Sequence, residues 1–139
     1  MRQSVTNAAD ILNETGETIM TLQTLIKKHS YITADGAMGT YFSELTGLDP
    51  KYCESYNTIS PELIRQIHNE YIKAGAMLLR TNTFSANSYT LGITHDELSS
   101  ILKSGYKIAE ECAGETAVVC ADVSVIYQSN LSAEEINAL

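Results

Sequence analysis

The chain has 139 residues, 44% apolar and 19% charged, with only two prolines, which suits one folded domain and excludes a disordered chain. Nine Lys and Arg against 17 Asp and Glu leave a net charge of −8; this argues against nucleic acid or an anionic membrane surface as partner, because both require a basic face. No apolar run approaches the roughly 18 residues of a membrane-spanning helix, the N-terminus is polar, and three irregularly spaced cysteines make no disulfide framework, so a cytoplasmic protein is expected.

Residues 1–16 carry a thin apolar pattern broken by Asn7, Asn13 and Gly16. A short helix is predicted over 17–28, with Ile19, Leu22 and Ile26 on one stripe and Lys27 and Lys28 in its last turn. Residues 31–34 read as a short buried strand, and Gly36 and Gly39 call for a tight turn into a brief helix reaching about residue 46. Residues 47–56 read as loop. The next helix is well marked: Ser60 as cap, Pro61 in the first turn, Gly75 as stop, and Leu63, Ile64, Ile67, Tyr71 and Ile72 at helical spacing. Residues 76–80 follow as a strand ending at Thr81-Asn82-Thr83. Thr94 and Glu97 form a capping box that opens a helix with the stripe Leu98, Ile101, Leu102, Ile108, Ala109 and Cys112. A third strand is expected at 117–121, running on toward Ile126, and Ser132 with Glu135 marks the start of another helix. Residues 96–139 hold two basic and eight acidic side chains, an acidic solvated helical face.

Strands alternating with amphipathic helices predict an α/β architecture of parallel βαβ units, and continuously apolar strands agree with a sheet covered on both faces. Three strands are too few for a closed eight-unit barrel, which takes roughly 250 residues. Asp35, Asn82 and Asp122 each end a strand, and in parallel α/β architectures such positions share one rim where ligands bind. Asp35 before Gly36 either caps its turn or holds an ammonium, while N–H groups of the following turn hold an anion, together a clamp for a free amino acid. Asn82 either bonds a ligand or satisfies loop backbone, and Asp122 suits a capping role. Cys53, Cys112 and Cys120 lack any paired spacing, and Cys112 and Cys120 are expected as buried thiols. His68, beside an apolar stripe, is expected to be packed and hydrogen-bonded.

The phrase ITADGAMGT at 32–40, followed by NTISPELIRQIHNEYIKAGAMLLRTNTFSAN at 57–87, closely resembles the start of the homocysteine S-methyltransferase family, which includes the homocysteine-binding modules of cobalamin-dependent methionine synthases. The similarity covers about residues 31–120 and makes residues 1–30 an N-terminal extension. It implies that residues 31–139 are the first three βα units of a (β/α)8 TIM-type barrel, incomplete in this chain. It also implies an S-methyltransferase that gives a methyl group to the zinc-activated thiolate of homocysteine, producing methionine. A free thiol has a pKa of about 8.5 and only the thiolate is a good nucleophile, which is what the metal provides.

By the same resemblance Asp35, Gly36 and Ala37 receive the amino-acid end of homocysteine, and Asn82 and Thr83 line the pocket. No cysteine here matches a zinc-ligand motif, so zinc is implied for the family without ligands in this chain, and no catalytic residue is assigned. Cobalamin with methyltetrahydrofolate, betaine and S-methylmethionine all stand open as methyl donors. Arg80, just before the TNTF motif, and Asp122–Tyr127, in place of a Gly/Pro-containing turn, depart from the family pattern. An incomplete barrel implies a complementary half or self-association. The alternative is a non-catalytic α/β binding or assembly module, a split or remnant subunit that keeps only the amino-acid clamp.

Overall fold

The computed structural model describes residues 20–124 together with Ser132 and Glu134. Helix α1 (Leu22–Lys28) opens on a capping box between Thr21 and Thr24. It buries Leu25 and leaves Leu22 and Ile26 exposed, so the predicted stripe is wrong: two turns of helix dock through one leucine. Residues 17–19 of that predicted helix lie outside the described residues. The strand predicted at 31–34 shrinks to a single bridge between Ala34 and Leu78, and Tyr31 is exposed rather than buried.

The reason is visible in the hydrogen bonds. Met77 and Leu78 donate to the Thr33 carbonyl at 2.7 and 3.1 Å, and Asp35 N–H donates to the Leu78 carbonyl at 3.0 Å, which starts a parallel ladder. The next rung would use the Asp35 carbonyl as acceptor for Arg80 N–H. Asp35 Oδ2 takes that bond instead, at 2.9 Å, and the segment turns away into helix α2 (Met38–Thr46).

The stretch read as loop at 47–56 is partly helical. Asp49 accepts a bond from Lys51 N–H at 3.0 Å and starts a 3-10 turn at Pro50–Ser55, which runs into helix α3 (Tyr56–Ile59). Helix α4 (Pro61–Lys73) has its proline at the predicted place, although Ser60 makes no side-chain cap bond. Its buried face is Ile64, Ile67 and His68. Strand β1 (Leu78–Arg80) follows. Helix α5 (Ser88–Leu91) was not foreseen; Asn87 caps it through Thr90 N–H at 2.7 Å, and Gly92, at φ 65°, ends it. Helix α6 (His95–Ala113) begins with the predicted Thr94–Glu97 capping box. It buries Leu98, Ile101, Ile108 and Ala109 as expected but leaves Leu102 exposed. Strand β2 (Val118–Cys120) follows. Ile126 and nearly all of the helix predicted from Ser132 lie outside the described residues.

Strand β1 is central. It pairs in parallel with β2 in the register Leu78–Val118, Leu79–Val119 and Arg80–Cys120, and meets the Ala34 segment on its other side. Phe42, Cys53, Ile64, Ile67 and Ile108 form one core cluster, among α2, the 3-10 turn, α4 and α6. Leu79, Ala109, Ala113 and Ala117 form a second, where small residues let α6 lie close on the sheet. Arg65 of α4 and Glu111 of α6 pair at 2.7 Å over the outside. Among the described residues no helix is long and apolar enough to cross a membrane.

Gly105 marks the tightest approach in this packing. A Cβ there would stand 2.5 Å from Asn57 Nδ2 and 3.1 Å from Thr83 Cγ2. Gly105→Ala is therefore expected to destabilise the fold by roughly 1–3 kcal/mol, because the buried Asn57 amide must move off its acceptors. Urea unfolding of the variant beside the parent chain measures this, and an unchanged midpoint would contradict the packing.

Candidate functional site

Beyond the C-terminal ends of the strands lies a cavity of about 420 Å³. Asp35, Gly36, Ala37, Asn82, Thr83 and Asp122 all border it, so the residues read from sequence as strand ends do share one rim. Arg80, Glu54, Cys53 and Lys51 border it as well. None of these four was assigned to the site from sequence. Arg80 carried a usable signal, a cation at a buried strand's end beside a rim asparagine; Glu54 carried none, because its stretch read as loop.

Asp35 is the most constrained group. Its side chain is 2% exposed, and Arg80 holds both carboxylate oxygens: Nε donates to Oδ1 at 2.8 Å and the backbone N–H to Oδ2 at 2.9 Å. Arg80 Nη2 also donates to the Gly36 carbonyl at 2.9 Å. An ammonium reaching Asp35 would have to displace this arginine. Arg80 Nη1 stands 3.6 Å from Asp122 Oδ2, so a single guanidinium ties the ends of three strand segments. Gly36 is dictated by the same neighbourhood, since a Cβ there would meet the Tyr71 ring at 2.7 Å.

Asn82 is equally engaged. Its Nδ2 donates to the Cys53 carbonyl and to Asn57 Oδ1, both at 2.9 Å, and its Oδ1 accepts from Cys53 Sγ at 3.2 Å. Asn57 Nδ2 returns a bond to the Asn82 carbonyl at 2.7 Å. Asn82 thus satisfies loop backbone at Cys53. Thr83 Oγ1 lies 2.6 Å from Thr81 Oγ1 and donates to the Asp122 carbonyl at 2.8 Å, while Asp122 N–H donates to Thr81 Oγ1 at 3.1 Å. These hydroxyls carry the β1–β2 pairing onward beyond the strands.

Other groups remain available to a ligand. Helix α2 starts at the cavity wall with no side-chain cap on Ala37, so its first N–H groups suit an anion. Glu54 is buried and accepts from Ser85 N–H through Oε1 at 2.8 Å.

Cys53 is buried, and burial pushes its thiol up to about 12, helped by the Glu54 charge and opposed by the Asn82 bond. It is a protonated donor to Asn82 Oδ1. Cys112 is half-buried and Cys120 exposed; the expectation of a buried thiol fails for Cys120, which sits where β2 has no neighbour on its outer side among the described residues. No group of three His, Cys, Asp or Glu among the described residues could hold a metal ion.

His68 is packed as expected but not hydrogen-bonded: it is fully buried, and neither ring nitrogen finds a partner among the described residues. Burial pulls its pKa down to about 4, against the opposing charge of Asp35.

A family model described as homocysteine S-methyltransferase matches residues 32–136. Methionine synthase of Mycobacterium leprae is 36% identical over 102 residues, 68% of this chain and 8% of that protein. Homocysteine S-methyltransferase 2 of Arabidopsis thaliana is 29% identical over 104 residues, 70% of this chain and 31% of that protein. The metallated form of the homocysteine methyltransferase MmuM from Escherichia coli superposes with a TM-score of 0.64 at 24% identity, over 74% of this chain and 41% of its own, which is likeness of fold. The chain thus spans less than half the length of each of these relatives.

The buried imidazole makes stability depend on pH. As pH falls below the unfolded value of 6.5, the unfolded chain takes up a proton that folded His68 refuses until about pH 4, so stability declines across that window by roughly 3 kcal/mol. Urea unfolding at pH 7 and pH 4.5 should show a smaller drop for His68→Gln than for the parent; equal drops would mean that His68 is not the group responsible.

Proposed function

We infer the function of this chain from the family to which it belongs, the homocysteine S-methyltransferases. The reading is a methyltransferase-type domain whose described part holds the amino-acid end of homocysteine at the rim cavity. One observation carries it: the strand ends fall together beside the uncapped start of α2, in the segment that matches the family model. Gly36, Ala37 and the first turn of α2 offer main-chain N–H groups to a carboxylate. Asp35 places a fixed charge behind them, and Asn82 and Thr83 form the rigid wall.

The parallel order, with β1 between the Ala34 segment and β2, supports placing these βα units in a (β/α)8 barrel. Further strands would pair beyond β2, beside the exposed Val123.

In the proposed reaction the homocysteine sulfur, as thiolate, attacks the donor's methyl carbon; the C–S bond of methionine forms as the methyl leaves its donor. Zinc, when bound, supplies a thiolate at neutral pH. The described residues do not fit that metal. No three ligating side chains converge, and the cysteine that borders the cavity is held as a thiol. No metal step is therefore assigned to them, and ligands from other residues are proposed.

L-Homocysteine titrated into isotope-labelled chain is expected to shift the amide signals of Gly36, Ala37 and Thr83 at millimolar concentration. The purified chain is expected to retain no stoichiometric zinc by elemental analysis. Silence of those amides, or about one tightly held zinc lost on changing Cys112 or Cys120, would contradict the reading.

A further inference from the structure

We propose that Arg80 is the specificity residue of this cavity, reading the carboxylate of an amino-acid thiol, with Asp35 as its positioning partner. The inference rests on the homocysteine reading and deepens it. A zwitterion needs a cation for its carboxylate and an anion for its ammonium. Asp35 is not a free anion: each of its oxygens already accepts from Arg80, and the side chain is 2% exposed. Arg80 is different. Its side chain is 39% exposed and borders the cavity.

The guanidinium is held from behind. Nε is engaged by Asp35 Oδ1, and Nη2 by the carbonyls of Gly36 at 2.9 Å and Asp35 at 3.4 Å. Nη1 is left, with Asp122 Oδ2 at 3.6 Å, an ion-pair distance but longer than a hydrogen bond. A guanidinium fixed through two of its nitrogens, with the third open, is pre-organised for a ligand anion, so little side-chain freedom is lost on binding. The uncapped start of α2 borders the same cavity and favours the same sign of charge. The anions left for the ammonium are Asp122, which is partly exposed, and Glu54, whose Oε1 alone is used by Ser85 N–H.

Asp35 therefore acts through Arg80. It sets the torsions of the guanidinium and offsets its charge, so that the cavity meets a carboxylate without an isolated buried cation.

The test uses the full chain and four probes: L-homocysteine, 4-mercaptobutanoate (no amine), 3-mercaptopropylamine (no carboxylate) and butanoate (neither amine nor thiol). The parent chain should bind 4-mercaptobutanoate at least tenfold more tightly than 3-mercaptopropylamine, a comparison that needs no variant. Arg80→Leu should weaken homocysteine and 4-mercaptobutanoate by about ten- to hundredfold and leave 3-mercaptopropylamine within about twofold. Preference for the amine probe, or tighter amine binding in Arg80→Leu, would overturn the inference and make Arg80 a lock on Asp35, with the homocysteine reading intact. Homocysteine binding no tighter than butanoate would keep the role of Arg80 and sink the homocysteine reading. Absence of binding by all four probes would overturn both.

Discussion

The arrangement of the rim follows from one buried carboxylate. Asp35 accepts Arg80 N–H with a side-chain oxygen where the sheet would have used its carbonyl. That exchange ends the first strand segment after a single bridge. It frees the backbone to turn at Gly36, and it leaves the other oxygen to align the Arg80 guanidinium at 2.8 Å. A buried carboxylate without partners would be strongly unfavourable, so the pair must form as the chain folds. On the other edge of β1 the Thr81 hydroxyl plays the same part, accepting Asp122 N–H at 3.1 Å. Side-chain oxygens thus replace main-chain acceptors on both sides of the central strand, and the strand ends part around a cavity.

Behind that rim sits a knot of amides. Asn57, Asn82 and Cys53 satisfy one another, and Asn57 also reaches the Ile101 carbonyl at 3.3 Å. The knot joins the 3-10 turn, α3, the end of β1 and α6. Such networks tolerate little displacement, since a half-satisfied buried amide costs more than none. The absence of a side chain at Gly105 is what allows α6 to lie over Asn57. The cavity's polar lining is therefore mostly scaffold: Asn82 and Thr83 keep the wall rigid, and the groups left open at it are the first N–H groups of α2 and the Nη1 edge of Arg80.

Much of this was legible in the sequence. Period and capping located α4, β1, α6 and β2, because Pro61, the Thr94–Glu97 box and two short apolar runs act locally. Strand ends located the rim, since Asp35, Asn82 and Asp122 border one cavity. The misses share a cause, namely dependence on contacts distant in sequence. Nothing local distinguishes Leu25 from Leu22 as the buried residue of α1. The loss of the first strand depends on Asp35 meeting a backbone N–H 45 residues away. His68 was readable as packed, but its lack of a partner is a property of the assembled core. Three short elements, the 3-10 turn, α3 and α5, escaped because signals such as Asp49, Asn87 and Gly92 act as punctuation over only a turn or so of helix.

Arg80 shows where these two kinds of information meet. From sequence it was a departure from a family phrase, with no chemistry attached. In the structure it is, among the described residues, the cation that reaches Asp35 and Asp122 together. A neutral residue at this position would leave Asp35 buried with only main-chain donors to hold its charge. A lysine would supply charge without the planar fork that engages Asp35 through Nε and Gly36 through Nη2 at once. Arginine, unlike lysine, engages both partners at once, and its Nη1 is the nitrogen that neither Asp35 nor Gly36 takes up. In the proposed reading, scaffold and recognition are the same guanidinium, with opposite edges serving the two ends.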